Sequence, residues 1–390
     1  MNSARSSAQV YLERIQRSTY EALGKKPDWM SAEHRSFVED FAKRFYESQV
    51  RSTGKSFEEF MKLSASTFGL EADPTLSQFQ DPAWHSLLRN LTGQLDEVLV
   101  QRNLKMNPHP IFGSLPTGRV NGMAIRVPRS DELIVLIEEG LFGFFNLAAK
   151  AVSRAFPFTG TVDGKLQFSS AQEDLDRELV SKPEISERYT ELILAYVVGG
   201  HPHMAKPYLP EPNYDGISAL LRESTELFVV GHEYGHFLSG HLSQDATQKA
   251  KLGEEATDEI MTNWNQEFEA DVRGLELMLA AMGQKGYDLS LSFWGADFFF
   301  GCIDTIERAV SIIQTGVVSP QHSTTHPPTL MRRQLLHQVL QNSVPEEHRQ
   351  GPIQLAGIVQ SVLERMWSAC EPILQRAHER GVELAPAWRH

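Results

Sequence analysis

The apolar run 229–238, VVGHEYGHFL, places two histidines and a glutamate inside a stretch otherwise suited to a buried helix. Residues four apart lie on one face of a helix, so His232 and His236 can offer imidazole nitrogens to one metal ion. Glu233 lies one step around the helix and is placed to act as a general base on water. The alternative is a buried helix with incidental polar residues, but burying these groups without a metal or hydrogen-bond partners is costly. The motif therefore predicts the zinc-binding helix of a metallopeptidase.

The third ligand is expected downstream, because a catalytic zinc takes three protein ligands and leaves one position open. The best candidate lies in the segment 266–271, QEFEAD, which continues as an amphipathic helix. Glu267 and Asp271 are four residues apart and share a face. Glu267 can bind the metal, while Asp271 can accept a hydrogen bond from the far nitrogen of a ligating histidine. We expect Glu269 to point elsewhere and to pair with Arg273.

Other possible ligands fit less well. His241 falls five residues beyond His236, about 140° away around an ideal helix, so we expect it at the helix end. The proline between His201 and His203 favours an exposed loop. Four acidic residues further on are interpreted as a solvated helix face or loop: Glu254, Glu255, Asp258 and Glu259.

Three short motifs together resemble the M48 group of gluzincin metallopeptidases. They are HEYGH at 232–236, EFEAD at 267–271 and STTHPPTLMR at 323–332. The resemblance implies a zincin-like core and Glu233 as the catalytic base. It further implies that Asp271 orients a ligating histidine by a hydrogen bond to the ring nitrogen that does not face the metal. It also implies three zinc ligands: His232, His236 and Glu267.

The same resemblance gives a role to the segment 326–332. In the family a motif of the form H-P-P-T-x-x-R follows the third ligand, which puts His326 and Arg332 near the active site. We expect His326 to help hold the oxyanion formed when a peptide carbonyl is attacked. The chain departs from the family at Asn263-Trp264, where Ser-Arg is common, and it lacks the spanning helices of the membrane members.

The rest of the chain predicts a mainly α protein with a small β-sheet, of the α+β class. We expect an N-terminal helical region at 1–105, forming an added layer, a zincin-like peptidase core at 106–345, and a C-terminal helical segment packed on the core at 346–390. Residues 156–181 are polar and predict a surface excursion. The apolar pattern and the start and stop signals predict helices at 8–23, 31–49, from Asp81-Pro82 onward, 140–152, 183–198, 216–240 and 289–315.

Several local signals refine this outline. Ser56 and Glu59 form a capping box. Residues 123–127 and 133–137 predict a hairpin, which either offers an edge to an extended peptide or is wholly buried. Tyr234 and the aromatic run 298–300 are interpreted as core.

Composition narrows the function classes. A formal charge of −13 argues against a nucleic-acid or anionic membrane surface. Only two cysteines occur, Cys302 and Cys370, so no disulfide framework is expected and a reducing cytoplasm is the simplest location. No signal peptide is recognised, and no apolar run reaches the roughly 20 residues that a bilayer requires, so membrane insertion is not expected.

These observations predict a cytoplasmic, zinc-dependent endopeptidase with Zn²⁺ as cofactor and a protein or peptide as substrate. One alternative is a highly selective intracellular protease of one host or phage protein. Another is a non-catalytic, zinc-stabilised binding or sensor protein, although metal binding alone does not need Glu233. The substrate and the oligomeric state stay open.

Overall fold

The structure is a computed structural model that describes residues 5–29, 31–65, 77–162, 165–243, 247–252, 255–260, 263–319 and 326–388. Within these ranges the protein is mainly helical with a small β-sheet, which confirms the predicted α+β class. Glu254 and residues 323–325, which enter the predictions above, lie outside the described residues.

Helices make up most of the described chain, and short strands lie between them. In chain order the α-helices are α1 (Ser7–Ala22), α2 (Ala32–Phe45), α3 (Phe57–Ser64), α4 (Pro82–Gln101), α5 (Glu139–Arg154), α6 (Gln172–Ser181), α7 (Glu184–Val197), α8 (Pro212–Leu238), α9 (Trp264–Gln284), α10 (Leu289–Thr315), α11 (Thr329–Ser343) and α12 (Glu346–Glu379). The strands are β1 (Ile111–Leu115), β2 (Gly122–Arg126), β3 (Leu133–Glu138), β4 (Phe158–Val162), β5 (Lys165–Phe168), β6 (Thr247–Leu252) and β7 (Glu255–Ile260).

The chain divides into two compact units. The first contains Met1–Glu139 and Gly240–Thr262, and the second contains Gly140–Ser239 and Asn263–His390. Each unit is therefore discontinuous in sequence. The predicted boundaries after residues 105 and 345 stay a prediction.

The helix starts of the first unit follow the local capping signals. Ser56 and Glu59 make the predicted reciprocal capping box at the start of α3. Asp81 caps α4 by accepting hydrogen bonds from the next turn, with Pro82 in the first helical position. Helix α4 buries one apolar face, which includes Leu88, Leu91, Leu95 and Val98.

A five-stranded sheet forms the core of the first unit, in the order β1-β3-β2-β7-β6. The predicted hairpin is confirmed as β2 and β3, which pair antiparallel with Ala124 opposite Val135. Because β1 pairs with the other side of β3 and β7 with the other side of β2, neither hairpin strand is an edge. Helix α1 packs on this sheet through buried Tyr11 and Ile15.

Of the four acidic residues predicted on a helix face or in a loop, the three that the structure describes, Glu255, Asp258 and Glu259, lie in a strand. Glu255–Ile260 forms β7, which pairs along its length with β6 and touches β2 at Ile125. The register places Asp258 opposite Lys249 and Glu259 opposite Gln248. The prediction failed because hydrogen bonding to partner strands overrides the weak strand preference of acidic residues.

Glu139, the first residue of α5, has an unusually high pKa for a carboxyl group. Burial, followed by repulsion from the Asp81 carboxylate, raises the pKa of Glu139 to about 8. Its Oε1 atom accepts a hydrogen bond from Ser114 Oγ at 3.1 Å. Glu139 is therefore largely protonated in the folded protein at neutral pH.

This ionisation predicts a pH-dependent stability that Glu139→Gln removes. The folded protein holds a proton on Glu139 that the unfolded chain releases near its ordinary value of 4.5. Glu139 therefore contributes stability that is fully present below that value and is lost as pH rises toward 8, by up to about 1.4 kcal/mol per pH unit. Urea unfolding at pH 5 and pH 8 should show a smaller loss for the variant than for the wild type. Equal losses would contradict the assignment.

The second unit is built from long helices around an aromatic core. Helix α7 falls within the predicted range, whereas α8 begins four residues before the predicted start, at Pro212. Tyr234, Phe298 and Phe300 are fully buried, which confirms that they are core residues.

In the described part of the chain, residues 156–181 are largely exposed, as predicted for a polar surface excursion, but they also form regular secondary structure. They form the β4–β5 hairpin and helix α6. The rings of Phe158 and Phe168 meet across the hairpin at 5.8 Å. Leu175 and Leu179, four apart on α6, are both buried. A few apolar residues at the right spacing are enough to fold this segment, although its mean composition is polar.

Two further observations concern the cysteines and the possibility of a membrane-spanning helix. Cys302 and Cys370 are both free thiols and both buried. In the described part of the chain, no helix combines the length and the apolar character needed to cross a membrane.

Candidate metal centre

Glycines allow α8 and α9 to cross at close range. A Cβ atom on Gly274 would lie 2.7 Å from the backbone nitrogen of His232. A Cβ atom on Gly235 would lie 2.7 Å from the carbonyl oxygen of Ala270. Both distances are shorter than real Cβ contacts, and backbone atoms inside a helix cannot move aside easily. The glycines therefore bring the face that carries His232 against the face that carries Glu267.

Gly274→Ala should separate the two helices and weaken the site. The added methyl group overpacks a backbone contact, so we expect the free energy of unfolding to fall by about 1–3 kcal/mol. Thermal or urea unfolding measures this loss, and metal titration should show weaker binding.

Gly283→Ala is the matched control, because Gly283 lies on the same helix with nothing within 4 Å of its added Cβ atom. It should be neutral or stabilise the protein by up to about 1 kcal/mol, since alanine favours helix more than glycine. If the two variants behaved alike, close crossing at Gly274 would not be what matters.

Three side chains from these helices converge on one point. The Nε2 atoms of His232 and His236 lie 3.1 Å apart. Glu267 Oε2 lies 3.6 Å from His232 Nε2, and Glu267 Oε1 lies 3.5 Å from His236 Nε2. His236 and Glu267 are buried, and His232 is nearly so. Among the described residues this His-His-Glu group could hold a metal ion.

The spacing of the three groups fits a small tetrahedral ion. Two ligand atoms at about 2.0–2.2 Å from zinc in tetrahedral geometry lie roughly 3.3–3.6 Å apart. The two imidazole nitrogens lie 3.1 Å apart, and each lies at a comparable distance from one oxygen of Glu267, 3.6 Å from Oε2 for His232 and 3.5 Å from Oε1 for His236. Two imidazoles and one carboxylate also form a donor set that suits zinc.

Asp271 fixes the orientation of His232. Its Oδ1 atom lies 2.9 Å from His232 Nδ1. Burial by itself would raise the pKa of Asp271, but the charge and hydrogen bonds of Arg332 together with the His232 contact hold it below its ordinary value. Because an ionised carboxylate only accepts, the His232 proton sits on Nδ1. The lone pair of Nε2 is therefore turned toward His236 and Glu267.

Arg332 contacts both Asp271 and Glu267. Its Nε and Nη2 atoms donate to the two oxygens of Asp271 at 2.7 and 2.6 Å, and Nη2 also lies 3.5 Å from Glu267 Oε2. The guanidinium stacks over the ring of Phe300 at 5.1 Å. One arginine thus contacts both the residue that orients a ligand and the predicted third ligand.

Glu233 is a buried carboxylate next to the predicted ligands. It is 8% exposed. Burial raises the pKa of Glu233 to about 7, with the negative charge of Glu267 adding to the rise and His232 opposing it. A carboxylate with a pKa near neutrality can both accept and return a proton at neutral pH.

His326 lies at the open side of the group. Its Nε2 atom is 3.7 Å from Glu267 Oε2, and half of its side chain is exposed. The three predicted ligands, Asp271, Arg332 and His326 therefore lie together in one unit, although they span a hundred residues of sequence.

The remaining candidates lie elsewhere. Glu269 is exposed, and Arg273 bonds to Glu276 at 3.0 Å. His201 and His203 stack on each other with ring centroids 4.5 Å apart, and neither belongs to the metal-binding group. His241 belongs to a short turn beyond the end of α8.

Two contributors to the site were not predicted as such. Phe300 was interpreted only as core, yet its ring supports Arg332. Glu307 Oε1 accepts a hydrogen bond from Thr329 Oγ1 at 2.6 Å, at the start of the helix that carries Arg332. The aromatic run and the isolated acid are visible in the sequence, but no spacing rule connects them to a segment 22 or more residues away.

Comparison of this chain with protein-family models, with curated proteins and with solved structures gave no match.

Proposed function

We propose that this chain is a zinc-dependent endopeptidase of the M48 gluzincin type, with a zincin-like core around α8 and α9. The observation that carries the proposal is the convergence of His232, His236 and Glu267 beside the buried carboxylate of Glu233. A site that only holds a metal has no need of Glu233. Its burial against the ligands favours a catalytic role over a purely structural one.

Each residue of the proposed site has its own role in hydrolysis. Zinc held by His232, His236 and Glu267 would act as a Lewis acid on the scissile carbonyl and on water. Glu233 takes the proton of the attacking water and passes it to the leaving amine. Asp271 keeps the His232 ring in its binding orientation.

His326 is the proposed donor to the developing negative charge on the carbonyl oxygen. Its half-exposed side chain lies beside Glu267, where a bound peptide can reach it. Because the position is open to solvent, we expect His326→Ala to lower kcat by about tenfold, less than in a closed oxyanion hole. Turnover of a peptide substrate measures this. The exposed His203→Ala is the control, and an unchanged kcat in His326→Ala would remove this role.

The proposed substrate is a protein or peptide, and the net charge of −13 argues against nucleic acid. A reducing, cytoplasmic location is part of the proposal and rests on the two free thiols.

Comparing protein N-termini in cells that express the wild type or Glu233→Gln tests the proposal. New N-termini should appear only with the wild type. A single cleaved protein would identify a selective protease, and many would identify a general one. No new N-termini, together with retained biological activity of Glu233→Gln, would favour a zinc-stabilised binding or sensor protein instead.

A further inference from the structure

Two consecutive arginines of α11 contact two different neighbouring helices. Arg332 pairs with Asp271 on α9, at the proposed metal site. Arg333, about 100° further around the helix, pairs with Asp297 on α10. α11 therefore lies between the helix that carries Glu267 and the long helix α10.

The contact with α10 has the geometry of a fixed clamp. Arg333 Nε and Nη2 donate to the two oxygens of Asp297, both at 2.7 Å. His337, one turn further along α11, places Nε2 at 2.5 Å from Asp297 Oδ1. Its ring also meets the edge of Phe293 on α10. A bidentate pair restrains both distance and orientation more strongly than a point charge does.

Two more contacts with α10 hold the start of α11. Thr329 Oγ1 donates to Glu307, and Pro328, the residue that precedes the helix, makes no side-chain cap. The Glu307 carboxylate on α10 is thus bonded to the first residue of α11. Phe300, also on α10, supports the Arg332 guanidinium.

Stability alone does not explain Asp297. It is 2% exposed in an aromatic-rich segment of α10. Buried ion pairs are often no more stabilising than apolar residues of similar volume. A buried, fully paired carboxylate at this place is better explained by the geometry it imposes on α11.

We propose that Asp297, Arg333 and His337 form a positioning clamp that sets α11 so that Arg332 and His326 meet the metal site. The proposal rests on the function proposed above, and it assigns no contact with substrate to the clamp. It makes Arg333 a residue that acts through its neighbour Arg332.

Arg333→Met, compared with Arg308→Met, tests the clamp. Arg308, which lies on α10 with Asp297, makes a similar bidentate pair, but with Glu364 on α12, at 2.9 and 2.8 Å. For Arg333→Met we expect about tenfold weaker zinc binding and a kcat at least about tenfold lower, with KM within about twofold, because displaced catalytic groups lose rate steeply. Arg308→Met should change neither, and Arg332→Met with Arg333→Met should be little worse than Arg332→Met alone.

Hydrogen–deuterium exchange supplies a readout that does not depend on activity. The amides of residues 329–337 should exchange faster in Arg333→Met and at the wild-type rate in Arg308→Met. If Arg333→Met does not fold, Arg333→Lys, which keeps the charge without the bidentate geometry, should show the same changes at smaller size. Unchanged exchange and zinc affinity, or equal losses in Arg308→Met, would overturn the clamp. A wild-type protein that binds no zinc would instead contradict the proposed function. The exchange experiment would still test whether the clamp positions α11.

Discussion

Glu233→Gln should lose peptide cleavage by about 10²–10⁴-fold while keeping its metal. Glutamine has nearly the same shape as glutamate, so the crossing of α8 and α9 and the three ligands are preserved. It cannot accept a proton from water, and general-base catalysis in a positioned site is worth about 10²–10⁴-fold. The measurement is kcat on a substrate found from the cellular N-termini, with metal content determined on the same samples.

Glu226→Gln provides a matched control for that experiment. Glu226 is buried on the same helix, seven residues before Glu233, and burial likewise raises the pKa of Glu226 to about 7. It is no member of the metal-binding group. We expect Glu226→Gln to retain cleavage, so that loss in Glu233→Gln reflects position rather than the removal of a buried acid. Cleavage by Glu233→Gln at the wild-type rate would refute the assignment of the base.

Asp271→Ala should weaken both the fold and the metal site. Asp271 is fully buried and accepts from Arg332 and His232, so its loss leaves a buried guanidinium without its carboxylate. Breaking such a pair costs about 3–5 kcal/mol of stability. Loss of the residue that orients a ligand typically weakens metal binding by about 10–100-fold. Urea unfolding and zinc titration measure the two effects separately.

The exposed ion pair between Asp176 on α6 and Arg365 on α12 serves for comparison. About half of the Asp176 side chain is open to solvent, and such exposed pairs contribute little to stability. Asp176→Ala should therefore leave zinc affinity unchanged. An Asp271→Ala protein with wild-type zinc affinity would show that His232 does not depend on this carboxylate.

Much of the candidate site follows from local rules. The i, i+4 spacing places His232 and His236 on one face, and the same spacing joins Glu267 to Asp271. Capping signals at Ser56 and Asp81 mark helix starts correctly, because each depends on a few neighbouring residues. Predictions of this kind need no knowledge of which helices meet.

The sequence does not show which distant elements meet. The acids of 255–260 join a strand because β6 and β2 lie beside them, which no local pattern announces. The role of Arg333 depends on Asp297, 36 residues away on another helix. The role of Gly274, which is to allow close contact between α8 and α9, becomes clear only from its distance to the backbone of His232. Contacts between distant segments decide these cases, so local propensity does not reveal them.

The metal content of the purified protein tests the central claim most directly. Elemental analysis after exhaustive dialysis should find about one zinc per wild-type chain, with tight binding lost in His236→Ala and retained in the exposed-histidine variant His203→Ala. A wild-type protein without zinc, or a His236→Ala protein that holds zinc as tightly as the wild type, would contradict the account.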